Sequence, residues 1–61
     1  MAALTSKELT ALEHQIDLEA TLVKKYEAMS CLCQDAAIAA DLTAFAEKHR
    51  AHYNTLYGFL K

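Results

Sequence analysis

The chain contains no proline, no tryptophan and a single glycine, Gly58, among its 61 residues. A sequence so poor in the two residues that punctuate turns and interrupt helices points to long, unbroken helices. β-Branched aliphatics are nearly as scarce, with three Val and Ile together against twelve Ala and nine Leu. That balance favours helix over strand throughout. Cysteine occurs twice, at Cys31 and Cys33, and two thiols separated by one residue cannot make a disulfide framework. Six Lys and Arg against eight Asp and Glu leave a net charge of −2, which lacks the positive footprint of a nucleic-acid binder or a membrane-surface helix. No apolar run approaches the roughly 20 residues of a membrane span. Met1-Ala2-Ala3-Leu4 lacks the basic start and long apolar centre of a secretory leader. A cytoplasmic location is therefore expected, with neither nucleic acid nor membrane as partner.

What the chain does have is a folding composition, 54% hydrophobic and 23% charged. Residues 1–61 form one domain at most. Because chains of this length bury only about 60% of the surface they expose when unfolded, a solitary monomer would be marginal.

The expected class is all-α. Thr5 followed three residues later by Glu8 has the spacing of a capping box, so helix 1 is expected over about 6–32. Asp35 ahead of Ala36-Ala37 is the next start signal, and it opens helix 2 over about 36–57. Gly58 either loosens the end of helix 2 or rides in a last turn. Two helices joined by so short a connection form an antiparallel hairpin.

Alternating steps of three and four along helix 1 read Leu9, Leu12, Ile16, Glu19, Val23 and Tyr26 as its buried seam. One carboxylate interrupts it. On helix 2 the same reading gives Ile38, Leu42, Phe45, His49, His52, Leu56 and Phe59, interrupted by two imidazoles one turn apart. Glu19 and His49 each lie fifteen residues from Gln34, so a turn centred there sets them level, with His52 one turn further on. Burying a carboxylate or an imidazole costs several kcal/mol unless it is paired or bound to metal. A Glu–His pair is the simpler explanation. The HxxH spacing nevertheless presents two nitrogen donors on one helix face, and Glu19 adds an oxygen from the other helix, a donor set suited to a divalent transition metal.

Each helix also carries a second apolar edge: Ala11, Leu18, Leu22, Met29 and Leu32 on helix 1, and Ala39, Ala46, Tyr53 and Leu60 on helix 2. Such width exceeds what one hairpin covers. A two-fold homodimer would bury both edges in a four-helix bundle and bring two copies of Glu19, His49 and His52 to one level, enough for a two-metal centre.

Two runs carry a family resemblance: Asp17-Leu18-Glu19-Ala20-Thr21-Leu22-Val23-Lys24-Lys25-Tyr26 and Ala46-Glu47-Lys48-His49-Arg50-Ala51-His52-Tyr53. Together they resemble one half of a ferritin-like or rubrerythrin-like bundle. Nearly the whole chain is similar to the short half-ferritin proteins labelled spore-coat proteins. The resemblance implies that Glu19 takes the place of the first-helix Glu and His52 that of the His in Glu-x-x-His. It also implies an iron centre between two chains that oxidises Fe(II) with oxygen or peroxide, and a place among coat proteins. The chain departs from the family at His49, where the pattern has Glu. A half-site with one carboxylate and two imidazoles also suits zinc or copper.

The competing expectation is a structural helical assembly or coat component, with a metal that merely staples it or with none. Cys31 and Cys33 read chiefly as small side chains at a helix end, ahead of a soft-metal or redox pair. His14, Asp17, Lys24, Glu47 and Lys48 read as solvated positions. Tyr26 and Tyr53 read first as core tyrosines, and second as residues able to hydrogen-bond a ligand or carry a radical in an oxidising site.

Overall fold

A computed structural model describes residues 3–60. Met1 and Ala2, which enter the argument against a leader, lie outside the described residues. The fold is all-helical: α1 spans Ser6–Leu32, α2 spans Ala36–Tyr57, and a single 3₁₀ turn, Gly58–Leu60, follows.

Local hydrogen bonds set the helix starts. The Thr5 hydroxyl accepts from the Glu8 backbone N–H at 3.1 Å, and the Glu8 carboxylate accepts from the Thr5 N–H at 2.9 Å. Both arms of the capping box are therefore made. These bonds to Thr5 hold the Glu8 carboxyl below its ordinary value. At α2 the Asp35 carboxylate accepts from Ile38 N–H at 3.0 Å. α1 ends where the Cys33 N–H reaches back to the carbonyls of Met29 and Ser30, and the Cys33 thiol donates weakly to the Asp35 carbonyl. Gly58 has φ −57°, inside the ordinary helical region, so it rides in the last turn without using its conformational freedom.

The helices run antiparallel, as the cross-pairs show: Ser30 bonds to Ala39, Glu27 to Arg50 and Glu19 to His49. The result is a rod of 46 × 16 × 12 Å. Near the turn, the Ser30 hydroxyl bonds to the Ala39 carbonyl at 3.0 Å and to the Thr43 hydroxyl at 2.7 Å, tying the two helices together.

The core is thin. Among the described residues only Ile16, Val23 and Ala46 are buried apolar side chains, and Glu19 is buried between the first two along α1. On α2 the row facing α1 is Ala39, Leu42, Ala46, His49, Tyr53 and Leu56, all buried or half-buried. This corrects the expected seam. Ile38, Phe45 and Phe59 are 52%, 48% and 46% exposed, and they form, with His52, a row at seven-residue spacing along one outer edge. The physical reason is size: Ala39 and Ala46 let the helices approach closely, whereas isoleucine and phenylalanine there would hold them apart. Leu9 is also exposed. Leu18 and Met29 on α1 are likewise exposed. No helix among the described residues is long and apolar enough to cross a membrane.

Candidate metal centre

The middle of the rod carries the three polar residues that interrupt the seams. Ile16, Glu19 and Val23 share one face of α1, which puts the Glu19 carboxylate between the helices, only 7% exposed. Its Oε1 atom lies 2.7 Å from Nδ1 of His49 and 3.6 Å from Nδ1 of His52. One nitrogen of each imidazole and one carboxylate oxygen lie within 4.8 Å of one another. His49 is mostly covered, whereas the His52 side chain is about half exposed and stands on the outer edge with Phe45.

Neighbouring rings hold the imidazoles in place. Tyr26 stacks on His49 with ring centroids 5.5 Å apart and planes 3° from parallel, and it tilts against Phe45 at 5.6 Å. His52 meets His49 edge to face at 5.5 Å. Tyr53 turns away from this cluster. It stacks with Tyr57 and lines a groove on the opposite side of the rod with Ala20, Val23, Lys24, Glu27 and Arg50. Only Tyr26, of the two tyrosines considered from the sequence, touches an imidazole of the cluster.

The hydrogen bond from His49 is the main cause that holds the Glu19 carboxyl below its ordinary value. Burial opposes that shift, while the amide of Gln15 and the charge of the two imidazoles add to it. Glu19 is thus an anion, and an anion facing two imidazoles can be neutralised by a proton or by a metal ion. Bonds of about 2.0–2.1 Å to nitrogen and oxygen place neighbouring ligand atoms of a four-coordinate ion about 3.3 Å apart. The 2.7 and 3.6 Å separations bracket that spacing and the three ligand atoms lie within 4.8 Å of one another, so the donor set suits a transition metal once the side chains draw together. A proton closes only the shorter pair. An ion would use both.

Two contributors were not singled out from the sequence. Gln15, one turn before Glu19, donates from Nε2 to Glu19 Oε2 at 3.1 Å. The signal available was the i, i+4 Gln–Glu spacing, a known helical pairing. Arg50 reaches Glu27 at 2.7 Å and Glu47 at 3.7 Å on the opposite side of the rod. These pairs are exposed and contribute little to stability.

His14, Asp17, Lys24, Glu47 and Lys48 are exposed and lie outside the cluster. Cys31 is an exposed free thiol and Cys33 a half-buried one, both at the turn end of the rod.

No protein family, curated protein or solved structure matches the chain. The site therefore stands on its geometry.

Proposed function

We propose that this chain is a metal-binding helical hairpin of the ferritin-like kind, in which Glu19, His49 and His52 hold a divalent transition metal and a second copy completes the centre. The observation that carries the reading is the position of Glu19, a buried carboxylate with two imidazoles directed at one of its oxygens. Supporting it, His52 stands in the exposed row of Ile38, Phe45 and Phe59, so the face that opens the site to its surroundings is also the apolar face left uncovered. Two hairpins joined on that face would make a four-helix bundle with two carboxylates and four imidazoles near its middle.

In such a centre Glu19 supplies negative charge, His49 and His52 supply neutral nitrogen donors, and Tyr26 keeps the His49 ring in its plane. The metal would supply Lewis acidity or, if it is iron, an exchangeable electron. Iron is the ion the resemblance implies, with Fe(II) as substrate giving one electron per ion to oxygen or peroxide. Zinc and copper suit the same nitrogen-rich donors. A structural assembly or coat role is the second reading, favoured by the same apolar row. It differs in leaving a closed, chemically silent site.

Equilibrium dialysis of the apo protein against Fe(II), Zn(II) and Cu(II), followed by elemental analysis, tests the proposal. The expected result is about one ion per chain, lost when Glu19, His49 or His52 is replaced by alanine. Retention of no ion, or equal retention by the variants, would leave a bare Glu–His pair.

A further inference from the structure

Among the described residues, Gln15 is the one polar side chain bonded to Glu19 that the metal-binding reading leaves without a role. An ionised carboxylate only accepts hydrogen bonds, so the amide must present its NH₂ group to Glu19. The two oxygens of Glu19 consequently have separate partners: Oε1 faces the imidazoles, and Oε2 accepts from Gln15 at 3.1 Å. Gln15 also stands at the opening of the site. With Glu19, His52, Thr55 and Leu56 it lines a cleft of about 290 Å³ that leads to the buried carboxylate from solvent.

We propose that Gln15 is a positioning residue that selects the metal, because its bond to Oε2 holds the carboxylate turned so that Oε1 faces the imidazoles. The inference rests on the metal-binding reading of Glu19, His49 and His52. With Oε1 alone facing the imidazoles, each chain presents one oxygen and two nitrogens to the ion. Zinc and cobalt accept such a small, nitrogen-rich set. Manganese, which favours more numerous oxygen donors, would draw on both carboxylate oxygens and so must turn the carboxylate against the Gln15 bond. Gln15 thereby penalises ions that need a two-oxygen carboxylate.

Co(II), a visible-absorbing stand-in for Zn(II), reads this directly, since its absorption per ion is several-fold stronger in a four-coordinate site than in a five- or six-coordinate one. The apo protein and two variants would be saturated with Co(II), and Zn(II) and Mn(II) affinities measured by competition. Gln15→Met keeps the length and helix propensity of the side chain but removes the amide. Gln15→Asn keeps the amide on a stem one methylene shorter, and circular dichroism confirms that each variant is helical. The expected result is a strong visible band in the wild type, at least a twofold weaker band in both variants, and a Zn(II)-over-Mn(II) preference about tenfold lower. Unchanged band and preference in both variants would overturn the proposal, even if their melting temperatures fell, because Gln15 would then be only structural. If neither wild type nor variants take up Co(II) or Zn(II), the metal-binding reading fails first and this inference falls with it. Uptake by the wild type with unchanged variants refutes the role of Gln15 alone.

Discussion

Oε1 of Glu19 accepts a 2.7 Å hydrogen bond from Nδ1 of His49, joining the middle of one helix to the middle of the other. Because Glu19 is buried, losing this partner would leave its charge with only the Gln15 amide and the longer contact to His52. The bond also restricts the register: sliding α2 by one turn in one direction replaces His49 opposite Glu19 with Phe45 or Ala46, which carry no imidazole, whereas the other direction brings up His52.

The first prediction concerns acid. Glu19 ionises below its ordinary value of 4.5 in the folded chain. A carboxylate with a depressed folded pKa contributes stability that is full above its unfolded value and is lost as pH falls through the folded one. Thermal melts of the metal-free protein should therefore show wild type above Glu19→Gln down to pH 4.5, with the gap collapsing at lower pH. A gap that widens with acid would contradict the assignment.

The second concerns assembly. Twice the chain mass of 6.8 kDa is 13.6 kDa, and light scattering at micromolar concentration should return that mass or more. Phe45→Glu places a charge in the exposed row, beside Tyr26 and one turn from His49, and should shift the protein toward the single-chain mass. A compact wild-type monomer that unfolds cooperatively would show that the apolar row is not a self-association surface.

How much of this was legible follows from the range of each interaction. Thr5–Glu8 and Asp35–Ile38 bonds span three residues, so the helix starts are written in local sequence. The meeting of Glu19 with His49 was legible because a short turn leaves few registers. The facing row of α2 was not. Residues 38 and 45 differ from 39 and 46 by one position, about 100° of rotation, and hydropathy alone favours the larger side chains. The structure instead uses the alanines, since backbone approach decides the contact. Gln15 was missed because a polar residue beside an apolar stripe reads as solvated until its partner is seen.

A third prediction tests that close approach. Ala46 is only 1% exposed, and Ala46→Leu should force the helices apart at a cost of about 1–3 kcal/mol. Chemical denaturation reads this. An unchanged midpoint would mean that the seam has room to spare.

A fourth separates redox from structural roles. If the centre oxidises Fe(II), stopped-flow absorbance of Fe(III) after mixing apo protein with Fe(II) in air should exceed the buffer rate. Glu19→Ala should fall to that baseline, and His49→Glu, which restores the Glu-x-x-His arrangement, should match or exceed wild type. Wild type at the baseline, with metal still bound, leaves the structural role.

The most direct measurement of the central claim is thermal unfolding with and without Zn(II) at neutral pH, in wild type and His52→Ala. His52 lies 3.6 Å from Glu19 and is not needed for the 2.7 Å Glu19–His49 bond, so the variant retains the bare pair. At about one hundred times the dissociation constant, an ion that binds only the folded chain adds about 2.7 kcal/mol. The account predicts a clear rise in the wild-type melting temperature and little or none in His52→Ala. No rise in wild type with Zn(II), or an equal rise in the variant, would contradict it.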